Sequence, residues 1–167
     1  MESIHSHQLT VVMVLVTDLG TWGTALVSLI AAAVFAVKKN LRLSALWIGA
    51  WIGAIALDQV LKLLIARPRP PLPHLVHVMN FSFPSGHALI SMVVYGLGAY
   101  SLSVWSYTRA YKPFFIVLWI ILFTSIGFSR MYLEVHYFSD VIAGYAIGAA
   151  WLIGCIKWAR KNTEIPA

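Results

Sequence analysis

The chain has 167 residues, of which 60% are hydrophobic and only 11% charged, with a single cysteine and a formal net charge of +6. That composition leaves too little polar surface to coat a soluble globule and fits one membrane-embedded domain. Cys155 alone supports neither an intramolecular disulfide framework nor a multi-cysteine zinc site, and the basic residues lie in short loops between apolar runs, where membrane topology rather than nucleic acid accounts for them.

Met1-Glu2-Ser3-Ile4 has no basic n-region and no small-residue cleavage site follows a short apolar core, so no cleaved signal peptide is expected. Residues 1–18 place His5, His7, Gln8 and Thr10 before an apolar run, Val11 to Val16, that ends at Thr17-Asp18. The run falls short of the ~20 residues a span needs, and a short helix lying in the interface is expected there. The spans then follow between residues 19 and 161. The first runs roughly from Thr21 to Val37 and stops at Lys38-Lys39-Asn40. The second runs roughly from Leu43 to Ala66 and carries Asp58 and Lys62 four residues apart, on one helical face. The loop from Arg67 to Pro84 contains Pro68, Pro70, Pro71, Pro73 and Pro84, a density that forbids regular helix. The third span is roughly Ser85 to Trp105, and a short turn from Ser106 to Lys112 leads to the fourth, roughly Pro113 to Ser129. A polar stretch from Arg130 to His136 precedes the fifth, roughly Tyr137 to Trp158, and a cytoplasmic tail covers 162–167. The fold class is all-α, an integral membrane bundle of about five transmembrane helices with an N-terminal interfacial helix.

Basic residues orient the bundle. Lys38, Lys39, Arg42, Arg109, Lys112, Lys157, Arg160 and Lys161 share one face, which the positive-inside rule makes cytoplasmic. Lys62, Arg67, Arg69 and Arg130 lie at the other face, against that rule, and so do all six histidines. Gly49-x3-Gly53 and Gly144-x3-Gly148 are small-residue pairs that suit close helix packing within one bundle. Trp47, Trp105 and Trp158 read as interface anchors.

Three segments at the outer face carry the chemistry. Lys62 and Arg69 bracket the start of the proline-rich loop, Pro84-Ser85-Gly86-His87 opens the third helix, and Ser129-Arg130 precedes His136 and Asp140. Guanidinium forks match phosphate oxygens bidentately. Free N–H groups and the positive dipole end at Ser85 and Gly86 form an anion site, where glycine admits the anion to the backbone. His136 and Asp140, four apart, can meet, so that a carboxylate on one ring nitrogen leaves the other free to attack. His87 suits proton transfer near neutral pH. Together these parts fit phosphoryl transfer through a phosphohistidine, with cations and helix terminus stabilising the transition state. Six scattered carboxylates offer no magnesium cluster, so no metal or other cofactor is expected.

These segments resemble the three signature motifs of the type 2 phosphatidic acid phosphatase family of membrane lipid phosphate phosphatases: K-x6-R-P, P-S-G-H and S-R-x5-H-x3-D. The chain reads Lys62-x6-Arg69-Pro70, Pro84-Ser85-Gly86-His87 and Ser129-Arg130-x5-His136-x3-Asp140, with every motif position filled. The resemblance covers residues from about 43 to 158. It implies His136 as nucleophile, Asp140 as its partner, His87 as acid, and Lys62, Arg69, Ser85, Gly86 and Arg130 as phosphate ligands. Many members have six spans where this chain shows five; the first family helix reads as reduced to the interfacial stretch, which leaves the substrate entrance open.

Other readings stand beside these. Ser85 can be only an N-cap and Lys62 only a snorkelling side chain. Asp58 orients Lys62 or pairs with a polar neighbour, and Arg67 takes a second phosphate or faces water. His74-x2-His77 has the spacing of metal ligands but reads better as an ordinary loop pair, and Glu134 as a rim ion-pair partner without a catalytic role. The expected protein is a metal-independent phosphatase of the extracytoplasmic face, in a bacterial cytoplasmic (inner) membrane. Its substrate is a lipid phosphate or diphosphate, with undecaprenyl diphosphate, phosphatidylglycerophosphate and phosphatidic acid leading by resemblance. A lipid phosphotransferase using the same phosphohistidine is the alternative, and a non-catalytic lipid-phosphate binder or transporter a more distant one. Soluble vanadate-dependent peroxidases carry similar motifs, and the apolar spans set this chain apart from them. The bilayer is the one partner expected besides the substrate; oligomeric state is left open.

Overall fold

The computed structural model describes residues 6–71, 74–78, 81–104 and 109–162. Among them are five long helices and no strand: α1 (His7–Val37), α2 (Leu41–Ile65), α3 (Gly86–Val104), α4 (Lys112–Tyr132) and α5 (Phe138–Asn162). A single 3₁₀ turn, Arg109–Tyr111, leads into α4. His5, Pro73, Trp105 and the tail from residue 163 lie outside the described residues. Helices α1, α2, α4 and α5 are each long and apolar enough to cross a membrane.

Residues 7–18 are helical, as expected, but they are not a separate element. They run without a break into the first span through a π-turn, Leu19–Gly23, to form one helix of 31 residues. The apolar run that looked too short to span is the first third of a longer one, because Thr17-Asp18 does not end the helix. Its outer face carries Leu15, Trp22, Leu26 and Leu29, all exposed. Its inner face sets Leu9, Met13 and Val14 against the buried Tyr132 at the end of α4 and Leu133 and Val135 of the α4–α5 connection.

The remaining boundaries have local causes. Asn40 caps α2 by accepting from Leu43 N–H at 3.1 Å. α2 ends at Ala66 in the left-handed region (φ 47°), and Arg67, preceding Pro68, is biased to extended backbone. Pro113 stands in the first turn of α4, where its missing N–H costs nothing.

α3 is the centre of the bundle, packing most extensively on α5 and α4 and also on α2. Leu89, Val93, Val94 and Leu97 are its buried face, joined by Ala50 and Ala54 of α2 and Leu152 of α5. Trp47 belongs to this core at 3% exposure, so it is not the interface anchor that its position near a span end implied. Trp158 is exposed. Gly144 and Gly148 are where α5 meets α3: a Cβ at Gly148 would stand 2.6 Å from the Leu89 carbonyl, and one at Gly144 2.6 Å from that of Ser85. Packing within the bundle therefore accounts for this pair. At the basic end, Arg42 Nη1 donates to the Asn162 carbonyl at 2.9 Å and Arg160 Nε to the Tyr100 hydroxyl at 3.1 Å, joining the start of α2, α3 and the end of α5.

Gly148→Ala should therefore lower thermal stability in detergent by about 1–3 kcal/mol, the usual cost of overpacking. Gly154→Ala has nothing within 4 Å of its new Cβ and should be neutral or stabilising by up to about 1 kcal/mol from helix propensity. Equal losses at both positions would contradict the α3–α5 contact described.

Candidate active site

The polar residues predicted for the outer face gather at the end of the bundle opposite Arg42 and Arg160. Lys62 stands in the last turn of α2, Arg67 and Arg69 on the loop after it, and Ser85 and Gly86 at the start of α3. Arg130 is in the last turn of α4, His136 in the short connection that follows, and Asp140 in the first turn of α5. Alternation of helix direction brings these ends together.

Asp140 is fully buried and amply partnered. Its carboxylate accepts from Ser82 Oγ, from Tyr137 N–H at 2.9 Å and from Arg67 Nη1 at 2.7 Å. Its carbonyl accepts from Ser85 N–H at 3.0 Å, which ties the start of α3 to the start of α5. His136 Nδ1 lies 3.5 Å from Asp140 Oδ2, at the outer limit of an ion pair and too long for a formed hydrogen bond. On the other side of the ring, Nε2 stands 3.4 Å from Arg69 Nη1, and the same Arg69 nitrogen donates to the Val135 carbonyl at 2.7 Å. One edge of the imidazole thus meets a carboxylate and the other a cation. Burial pushes the His136 pKa down to about 4, aided by Arg130, Arg69 and Lys62 and opposed by Asp140. The ring is neutral at physiological pH.

Arg67 points away from the cationic group. It bonds Asp140 and Ser139 Oγ, each at 2.7 Å, and lies over the Tyr137 ring at 4.3 Å. Asp58 and Lys62 form a buried pair at 2.5 Å, with Gln59 Nε2 donating to the other Asp58 oxygen at 3.0 Å. Asp58 also explains Gly86, since a Cβ there would sit 2.7 Å from its Oδ2. Ser85 occupies the N-cap position, its carbonyl accepting from Leu89 N–H, but its buried hydroxyl caps nothing and has no partner. Arg130 Nε is likewise buried without a partner. Buried polar atoms without a partner are uncommon, and both of these belong to residues predicted for the site.

A cavity of about 660 Å³ opens beside this cluster, lined by Lys62, Arg69, Arg130, His87, His136 and Gly86 among others. Its far wall is apolar and comes from three helices: Ala25 of α1, Trp51 and Ile55 of α2, and Ile90 of α3. His77 also lines the cavity, whereas the His74 ring bonds the Pro70 carbonyl at 2.8 Å within its own loop. Among the described residues no three His, Cys, Asp or Glu side chains are grouped to hold a metal ion. Sequence reasoning missed Ser82 and Thr17, which contact Asp140 and Arg130. Ser82 carries no periodic signal inside a proline-rich loop. Thr17-Asp18 had one: a polar pair inside what proves to be a membrane helix.

A family model described as the PAP2 superfamily matches residues 22–164. The chain is 38% identical over 93 residues to phosphatidylglycerophosphatase B of Bacillus subtilis, covering 55% of this chain and 46% of that protein. It is 33% identical over 125 residues to lipid A 4'-phosphatase of Bacteroides thetaiotaomicron, covering 65% and 52%. With undecaprenyl-diphosphatase of Sulfolobus acidocaldarius it shares 29% over 134 residues, covering 74% and 58%. The chain thus spans about half the length of these relatives. The crystal structure of a transmembrane PAP2-type phosphatidylglycerolphosphate phosphatase from Bacillus subtilis matches with a TM-score of 0.87 at 29% identity, over 96% of this chain and 81% of that one.

The depressed His136 value has a measurable consequence. Between its ordinary 6.5 and about 4 the unfolded chain binds a proton that the folded protein does not, so stability falls as pH drops through that window. His136→Gln should flatten the pH dependence of the thermal midpoint over that range. An unchanged slope would show that His136 titrates normally in the folded state.

Proposed function

The chain belongs to the PAP2 superfamily, and from that membership we propose that it is a membrane lipid phosphatase working through a phosphohistidine on His136. One observation carries the reading: Lys62, Arg69, Arg130, His87 and His136, drawn from separate stretches of chain, line one cavity. Its apolar wall at Ala25, Trp51, Ile55 and Ile90 suits a substrate whose tail stays among the helices and lipid.

In this reading Asp140, facing Nδ1, favours the tautomer with its proton there and leaves the Nε2 lone pair on the cationic side. The substrate phosphoryl group lies among Lys62, Arg69 and Arg130, taking hydrogen bonds from these cations and from the backbone at Gly86, where α3 begins. Nε2 attacks phosphorus, the bond to the lipid oxygen breaks, and His87 gives that oxygen its proton. His87 then takes a proton from water as the water attacks the phosphohistidine, which releases inorganic phosphate and restores both imidazoles. The cations carry the charge of the transition state, and no metal is required. Arg67 acts through Asp140 rather than on the substrate, and Asp58 presents Lys62.

The substrate class is a lipid phosphate or diphosphate; the relatives' names span phosphatidylglycerophosphate, undecaprenyl diphosphate and lipid A. The positive-inside rule puts the Lys38-Lys39-Arg42 end in the cytoplasm and the cavity at the outer face, as in a bacterial cytoplasmic membrane.

Purified protein incubated with lipid phosphates should release inorganic phosphate at the same rate with and without a chelator. His136→Ala should lower release on the order of a thousandfold or more, as nucleophile removal does, and should leave no acid-labile phosphoenzyme to trap. Full activity in His136→Ala would sink the mechanism, and loss of activity with chelator would sink its metal independence.

A further inference from the structure

Arg130 reaches the cavity from the last turn of α4 and is 5% exposed. Among the described residues its guanidinium makes one hydrogen bond, from Nη1 to Thr17 Oγ1 at 2.9 Å. Thr17 is itself buried at 6% exposure, 113 residues away in sequence, and it precedes the matched region, which begins at residue 22. Immediately after Asp18 the helix widens into the π-turn Leu19–Gly23, a feature frequent at functional sites. Tyr95 of α3 holds that turn by donating to the Leu19 carbonyl at 2.6 Å. A Cβ at Gly23 would stand 2.6 Å from the Tyr95 hydroxyl, and one at Gly20 2.9 Å from His87 Cδ2. Two small residues and one tyrosine therefore press this stretch of α1 onto both Arg130 and His87.

We infer that Thr17 is a positioning residue for the phosphate-binding arginine: its hydroxyl oxygen fixes the Arg130 guanidinium at the cavity wall, and the π-turn clamped by Tyr95 holds the stretch of α1 that carries Thr17. A long arginine side chain has many rotamers, and a single anchoring acceptor selects one before the anion arrives. The π-turn also makes Gly20 the wall against which the His87 ring rests. α1 is thus part of the site rather than a membrane anchor alone. The inference uses the proposed function only for the identity of the ligand as a phosphoryl group.

The test reads phosphate binding apart from turnover. Binding of inorganic phosphate and of vanadate to the purified full chain in detergent is titrated by thermal shift and calorimetry, alongside kcat and KM on a lipid phosphate. Thr17→Val, which keeps the shape and removes the acceptor, should weaken anion binding about tenfold, the worth of one fixed hydrogen bond to a charged group, and raise KM in proportion. Its ligand-free thermal midpoint should fall as well, since a buried guanidinium loses its one acceptor, and Thr17→Ser should restore most of both the affinity and the midpoint. In an Arg130→Gln background Thr17→Val should cost nothing further. Wild-type affinity in Thr17→Val, or an equal loss with and without Arg130, would overturn the inference. Should Thr17→Val not fold, Thr17→Ala takes its place in the same cycle, and its loss of affinity must likewise vanish in the Arg130→Gln background. If the wild type binds phosphate but releases none from any lipid, the proposed function fails while the Thr17–Arg130 coupling is still measured.

Discussion

The end of the bundle that holds the candidate site depends on how the carboxylate of Asp140 is buried. A bare carboxylate removed from water costs several kcal/mol, so it persists in the ionised form only where donors replace the solvent. Ser82, Tyr137 N–H and Arg67 supply them from three separate stretches of chain. Each donor brings its segment along. Through Arg67 the loop leaving α2 is held to α5, through Ser82 the loop entering α3 is held there too, and the Asp140 carbonyl takes the N–H of Ser85 at the cap of α3. One buried charge in the first turn of a helix therefore organises the connections around it. His136 is left beside that charge, with the other edge of its ring toward Arg69.

The opposite sign raises the opposite difficulty. Lys62, Arg69 and Arg130 border the same cavity, and like charges at close quarters repel. Asp58 offsets this by pairing with Lys62, Thr17 by accepting from Arg130, and the Val135 carbonyl by accepting from Arg69. All three cations are thus held by neutral or acidic partners while the donor Arg130 Nε stays unfilled. In a membrane protein such an arrangement is costly to keep without a function. It preorganises positive charge toward a space with an apolar back wall, which is what an amphiphilic anion requires.

Much of this was legible in local pattern. Span positions follow from hydropathy, and helix ends from Asn40, Pro68 and Pro113. The pairing of Asp58 with Lys62, and the approach of His136 to Asp140, follow from their four-residue spacing. What misled was also local. Thr17-Asp18 looks like the end of an apolar run, although a helix buried on one side tolerates polar residues wherever a partner meets them. Trp47 looks like an interface anchor because tryptophans near span ends usually are, yet it packs into the core against α3.

The sequence alone determined where the helices run, which end of the bundle carries most of the basic loop residues, and most of the side chains that meet at the other end. These depend on hydropathy, on near-neighbour spacing and on motif positions, all readable within a few turns of helix. Only the tertiary structure decided that Arg67 turns to Asp140 across 73 residues, that Ser82 meets it across 58, and that Thr17 holds Arg130 across 113. Contacts between segments so far apart leave no period in the chain. They arise when α3, closely packed on α5 at Gly144 and Gly148, sets the helix ends side by side, and buried polar atoms take whichever partners that packing brings within reach.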